Sequence, residues 1–178
     1  MKILSIPVLC VSLFLLNSER LLLAESPSSA RLASETVQKV FSNVPAGSGD
    51  SIFAAHKTAK PGDEITLKGR VMGSAKPFVE GRAVFILGDP EKLTACNTNP
   101  DDSCKTPWDT CCDPSELIKQ STAVIQIVDA EGKVLKEGIE GVSGLSKLST
   151  VTVTGKVAKG SSAVLLLINA SAIAVAKK

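Results

Sequence analysis

Two segments decide the architecture: Ile65–Val71, ITLKGRV, and Val151–Val157, VTVTGKV. In the first, Ile65, Leu67 and Val71 alternate with Thr66, Lys68 and Arg70, the period-2 pattern of a half-buried strand running over Glu64–Met72. The second repeats the pattern, with Gly155 at the place Gly69 holds in the first. Glycine inside a strand weakens it, and it is found there where the strand bends sharply, bulges or lets another backbone come close. Two such strands predict a strongly coiled, closed sheet.

Working outward, Gly81–Leu87 (GRAVFIL) reads as a second strand, stopped by Gly88, Asp89 and Pro90. Thr122–Val128 (TAVIQIV) is a third, and Asp129–Gly132 has the chemistry of a hairpin turn into Lys133–Glu137. Glycines at 138, 141 and 144, followed by Leu145 and Leu148, suit a loop leading into a short helix. Thr150–Val157 and Ala163–Val175 supply the last two strands. Three strands, a helix and two strands, with bent glycine strands among them, resemble the OB-fold, a five-stranded Greek-key barrel. The expected class is therefore mainly β: an OB-like barrel with one short helix and a Cys-rich insertion, with a β-sandwich as the alternative. The barrel domain is placed at residues 51–178, opening on a short helix, Ser51–Ala59, capped by Asp50 and followed by a turn through Pro61 and Gly62.

Ahead of the domain, Lys2 precedes an apolar run, Ile3–Leu16 (ILSIPVLCVSLFLL), and Ala24 or Ala30 offers a small residue for cleavage. That is the grammar of a signal peptide, assigned to residues 1–24. The run falls short of the roughly 20 residues that span a bilayer, so no stable membrane anchor is expected once the leader is cut. Cys10, inside the run and preceded by Pro7, Val8 and Leu9, reads as a passenger. Residues 25–50, rich in Ser and Ala, read as a flexible tether with weak helical spacing at Val37, Val40, Phe41 and Val44. The expected location is periplasmic or secreted, and the four cysteines left after cleavage are expected to form disulfides there.

Those cysteines lie in an insertion, residues 88–121, between the second and third strands. Its centre, Cys96–Cys112, reads CNTNPDDSCKTPWDTCC. Connections this long are usually functional or disordered, and the cysteines argue against disorder. PGDEITLKGRV, FVEGRAVFIL and DDSCKTPWDTCC together resemble a family of exported bacterial proteins that join an OB-like barrel to a Cys-rich TPWDxCC loop. The resemblance covers roughly residues 61–175 and brings no assigned activity. Thr110 stands where an aromatic residue would be expected, which removes stacking surface.

A bridge between Cys111 and Cys112 is strained, so Cys96 and Cys104 are each expected to pair with one of those two. A bridge closing about 15 residues is worth around 3 kcal/mol in the loop-entropy account. The competing chemistry is zinc or copper held by Cys96, Cys104, Cys111 and Cys112 with help from Asp101, Asp102, Asp109, Asp113 or His56. The spacing lacks a CxxC knuckle, which speaks against metal and against a thiol–disulfide oxidoreductase. Asn97, Asn99 and Asp101 imitate the start of a calcium loop, but Asp102 takes the place of its turn Gly and Trp108 that of its closing Glu. Gly141–Gly144 (GVSG) misses the nucleophile elbow by one residue and reads as loop chemistry. Asn169–Ser171 is an NxS sequon inside an expected strand.

The formal net charge is +2, the chain has no Tyr and one Trp, and its single His, His56, reads as a surface residue. Neither a polyanion footprint nor a stacking platform follows, so nucleic acid is an improbable partner. The sequence therefore points to a non-catalytic binding or interaction module without a cofactor, presenting Trp108, Asp109, Arg70, Arg82 and Asp89 to an envelope or extracellular partner. Trp108 is read foremost as an anchor tying the insertion to the barrel. The alternative is a metal-binding or redox protein built on Cys96–Cys112.

Overall fold

A computed structural model describes residues 33–98 and 103–177. The leader assigned to residues 1–24 lies outside the described residues, as do Asp101 and Asp102. Five strands, β1 (Glu64–Arg70), β2 (Val84–Gly88), β3 (Thr122–Gln126), β4 (Thr150–Val157) and β5 (Leu166–Val175), close into a barrel in the order β1-β2-β3-β5-β4. The β3–β5 pair is parallel and the other seams are antiparallel. This is the expected OB-like Greek-key barrel, and its closure excludes the sandwich.

The two glycines earn their places by close approach. At Gly155 the β4–β5 register shifts, and a Cβ there would strike the Asn169 carbonyl oxygen and stand 2.7 Å from Ile168 Cγ2. At Gly69 it would meet Leu87 Cγ at 2.7 Å and the Gly88 carbonyl at 2.8 Å. Leu67, Phe85, Leu87, Ile125, Val153, Ile168 and Ile173 fill the interior. Phe85, the one large aromatic in it, is backed by Phe78 at a centroid distance of 6.1 Å.

Among the described residues three short helices stand outside the sheet: α1 (Glu35–Ser42), α2 (Ile52–Thr58) and α3 (Ser115–Gln120). The first corrects the tether assigned to residues 25–50, whose described part, from residue 33 on, belongs to the domain. Ser34 caps α1, Val37 and Val40 are buried in the core, and the Ser34 backbone N–H donates to Glu137 at 2.9 Å. Beyond α1, Asn43 donates to the Ser171 carbonyl and Ala46 N–H to Thr154 Oγ1. The weak helical spacing read at Val37 and Val40 was the signal, and the Ser/Ala composition around it obscured the packing.

On α2 the cap is Ser51 and not Asp50, because Asp50 pairs its backbone with Thr66 and Lys68 instead. Ile52 and Ala55 enter the core from α2, so a helix preceding β1 lies under the barrel. The helix expected within residues 138–148 forms only a 3-10 turn, Val142–Gly144, since Gly141, Ser143 and Gly144 all have positive φ. That segment still sends Ile139 and Leu145 into the core. Lys133–Glu137 likewise does not become a strand: past the turn held by Asp129, a single bridge joins Val128 to Val134.

Candidate functional site

The insertion is folded by its own backbone before its sulfurs are considered. Cys96 N–H donates to the Asp109 carbonyl and Asn97 N–H to the Pro107 carbonyl, both at 2.8 Å, zipping the two arms of the loop together. Asp113 accepts from Thr94 N–H at 2.8 Å and so ties the end of the loop to its beginning. Trp108 then fastens the loop to the segment after β1. Its indole N–H donates to the Ala75 carbonyl at 3.0 Å, its carbonyl accepts from Gly73 N–H, and Lys147 Nζ lies 4.5 Å from the ring centroid. Trp108 is an anchor. Thr110 is fully buried with its hydroxyl unpartnered among the described residues.

This zipper brings three sulfurs to one point. The Sγ atoms of Cys96, Cys104 and Cys111 lie within 4.8 Å of one another, and Cys96 and Cys111 are 3.8 Å apart, well beyond the S–S bond length of about 2.05 Å. Cys112 is exposed and outside the trio, so the two-bridge pattern that divides Cys96 and Cys104 between Cys111 and Cys112 does not match this geometry. Burial, then hydrogen bonds with Cys104 and Cys111, push the Cys96 thiol up to about 12. Cys104 is held below the ordinary thiol value, first by the Thr106 hydroxyl, 3.3 Å from its sulfur, and then by the Thr106 backbone. For Cys111 the hydrogen bond with Cys96 pulls downward, but Cys112 beside it and burial outweigh that and leave it raised.

Of the other proposed ligands, the described ones, Asp109, Asp113 and His56, do not join the trio. Asp109 accepts from Thr110 N–H and Asp113 from Thr94 N–H. His56 is no plain surface residue, since Nε2 bonds the Thr122 carbonyl at 2.8 Å, which leaves buried Nδ1 without a partner among the described residues.

The remaining candidates separate. Asp89 is buried and structural: its carboxylate accepts from the Ser51 hydroxyl and the Phe53 N–H at the start of α2, and from Glu91 N–H. Arg82 is exposed on the turn before β2. Arg70 lines an open cleft of about 690 Å³ with Ser146, Ser149, Thr150 and Lys177. Its Nε donates to the Leu148 carbonyl at 3.0 Å, and no carboxylate among the described residues lies within 4.0 Å of it. The cleft wall holds Ser143 at φ 49° and Leu148 at φ 66°, the latter rare for a bulky side chain. No sequence signal marks Leu148, because the conformation is imposed by its backbone bonds to Val71 and Arg70. Asn169 of the sequon sits in β5 and accepts from Gln126 at 2.6 Å. Comparison with protein-family models, with curated proteins and with solved structures found no match to this chain.

Proposed function

We propose that the protein is an exported, non-catalytic binding module of OB-like build that takes an anionic ligand, carboxylate- or phosphate-bearing, in the cleft beside Arg70. One observation carries this reading: a cleft of about 690 Å³ holds two cationic side chains, Arg70 and Lys177, among serine and threonine hydroxyls, and Arg70 has no acidic partner among the described residues. That volume falls within the range of small-molecule sites, and a planar guanidinium suits a carboxylate or phosphate with two parallel hydrogen bonds. The Leu148 carbonyl fixes the guanidinium by its Nε, which orients the rest of the group in advance. A binding role also fits the single histidine, whose Nε2 is engaged by the Thr122 carbonyl.

The Cys-rich loop is the rigid shoulder of this module in our reading. In an oxidising compartment with no ion on the sulfurs, the pair positioned for a bridge is Cys96 and Cys111, 15 residues apart, and closing it would add about 3 kcal/mol.

The test is an amide chemical-shift titration with citrate and with pyrophosphate. Perturbations gathered at Arg70, residues 143–150 and 175–177, and abolished by Arg70→Gln, are expected. Shifts scattered over the surface, or unchanged in the variant, would refute the assignment.

A further inference from the structure

We propose that Cys96, Cys104 and Cys111 form a three-sulfur site for a soft, thiophilic cation, monovalent copper or zinc. The site is independent of the Arg70 cleft. An ion bonded to thiolates at about 2.3 Å holds its sulfurs about 3.8–4.0 Å apart in tetrahedral or trigonal geometry. Cys96 and Cys111 stand at 3.8 Å, and all three sulfurs fall within 4.8 Å. Cys96 and Cys111 thus have the spacing of two ligands on one ion and not that of a bonded pair, with the Cys104 sulfur within 4.8 Å of both.

The sequence objections to a metal lose their force in three dimensions. Seven and six residues separate successive members of the trio, which is no zinc-knuckle spacing. The backbone zipper between residues 96–97 and 107–109 replaces the knuckle, carrying Cys96 across to Cys111 while Cys104 sits at the tip between them. The vicinal pair is not asked to supply two ligands to one ion, because Cys112 lies outside the group.

Three features suit the site to a soft ion. Its ligands are all sulfur, which selects monovalent copper and zinc over hard cations. Its scaffold is fixed without sulfur bonds, by Trp108 on Ala75 and by Asp113 on Thr94, so the ligands are preorganised. It is graded in exposure from buried Cys96 to exposed Cys111, giving an ion a route in from solvent. Each thiol that ligates releases its proton to solvent, so affinity rises with pH. A Cys96–Cys111 bridge would consume two of the three ligands, so bridge and ion exclude each other.

The experiment titrates the fully reduced protein, without oxygen, against a copper(I)-specific chromophoric chelator and separately against a zinc indicator. One equivalent of copper(I) or zinc is expected to be taken from the competitor. Cys96→Ser, Cys104→Ser and Cys111→Ser should each weaken binding by more than about 100-fold, above the roughly 10–100-fold lost with groups that only orient a ligand. Cys112→Ser should leave affinity within about threefold of the parent protein. X-ray absorption of the loaded protein should count three sulfur neighbours, and circular dichroism of each variant confirms an intact barrel. Failure of the reduced parent protein to compete for either ion, or a loss for Cys112→Ser equal to that of the trio, would overturn the site.

Discussion

The β4–β5 seam and the Cys-rich insertion are held together by opposite means. The seam relies on backbone closeness and apolar packing: Gly155 lets β4 press on Asn169 and Ala170, and Val153, Ile168 and Ile173 close the interior behind it. The insertion has few aliphatic residues to bury. It stands on backbone hydrogen bonds and one tryptophan, with Leu93 and Ala95 at its root in a small apolar cluster with Met72. A region of the first kind fails when volume changes by one side chain, because interiors are close-packed and backbone cannot give way. A region of the second kind loosens locally while the rest of the domain stays folded.

The largest effect that follows is at the seam. Gly155→Val should destabilise the domain by more than about 3 kcal/mol, since the added carbon meets a backbone carbonyl. Urea unfolding followed by circular dichroism measures it, and an unchanged midpoint would remove the close-approach argument. A smaller loss is expected where the insertion leaves β2 and meets α2. Asp89→Ala strips three donors, the Ser51 hydroxyl and the Phe53 and Glu91 N–H groups, of their acceptor and should cost about 2 kcal/mol in the same assay.

Within the insertion, Trp108→Ala should shift the global midpoint by less than about 1 kcal/mol, yet make residues 96–112 open to limited proteolysis. Equal protease resistance in parent and variant would show that Trp108 does not hold the loop. At neutral pH the smallest effect concerns the thiols. Cys96 is raised from 9.0 to about 12 in the fold, so the unfolded chain loses that proton first. The contribution of Cys96 to stability is therefore complete below pH 9.0 and declines as pH climbs toward about 12. In the reduced, metal-free protein at mildly alkaline pH, iodoacetamide should label Cys104 before Cys96, as peptide mass mapping would show. The reverse order would contradict the burial of Cys96.

The barrel strands were the legible region. Alternation at Ile65, Leu67 and Val71 and its echo at Val151, Val153 and Val157 located β1 and β4, and the shared glycine pointed to a closed barrel. These signals are local, because a strand writes its two faces into every second residue. The insertion was legible only as a place: composition marked its cysteines and Trp108 as special, and the anchoring role of Trp108 was readable from the scarcity of other aromatics. Asp89 misled, because a carboxylate after Gly88 looks like turn chemistry, and nothing near it in sequence names Ser51 and Phe53 as its partners. Residues 33–50 misled through composition, since Ser and Ala hide the two buried valines of α1.

The amino-acid order alone, then, determined the strands, their bends and the barrel, because period-2 burial and a strand-interior glycine are properties of neighbouring residues. Only the tertiary structure decided that three of the four loop sulfurs converge while Cys112 stays out. It alone decided that α2 lies under the barrel from before β1, and that Arg70 faces a cleft walled by a leucine with positive φ. Each of these depends on contacts between residues far apart in the chain, which spacing along the sequence cannot encode.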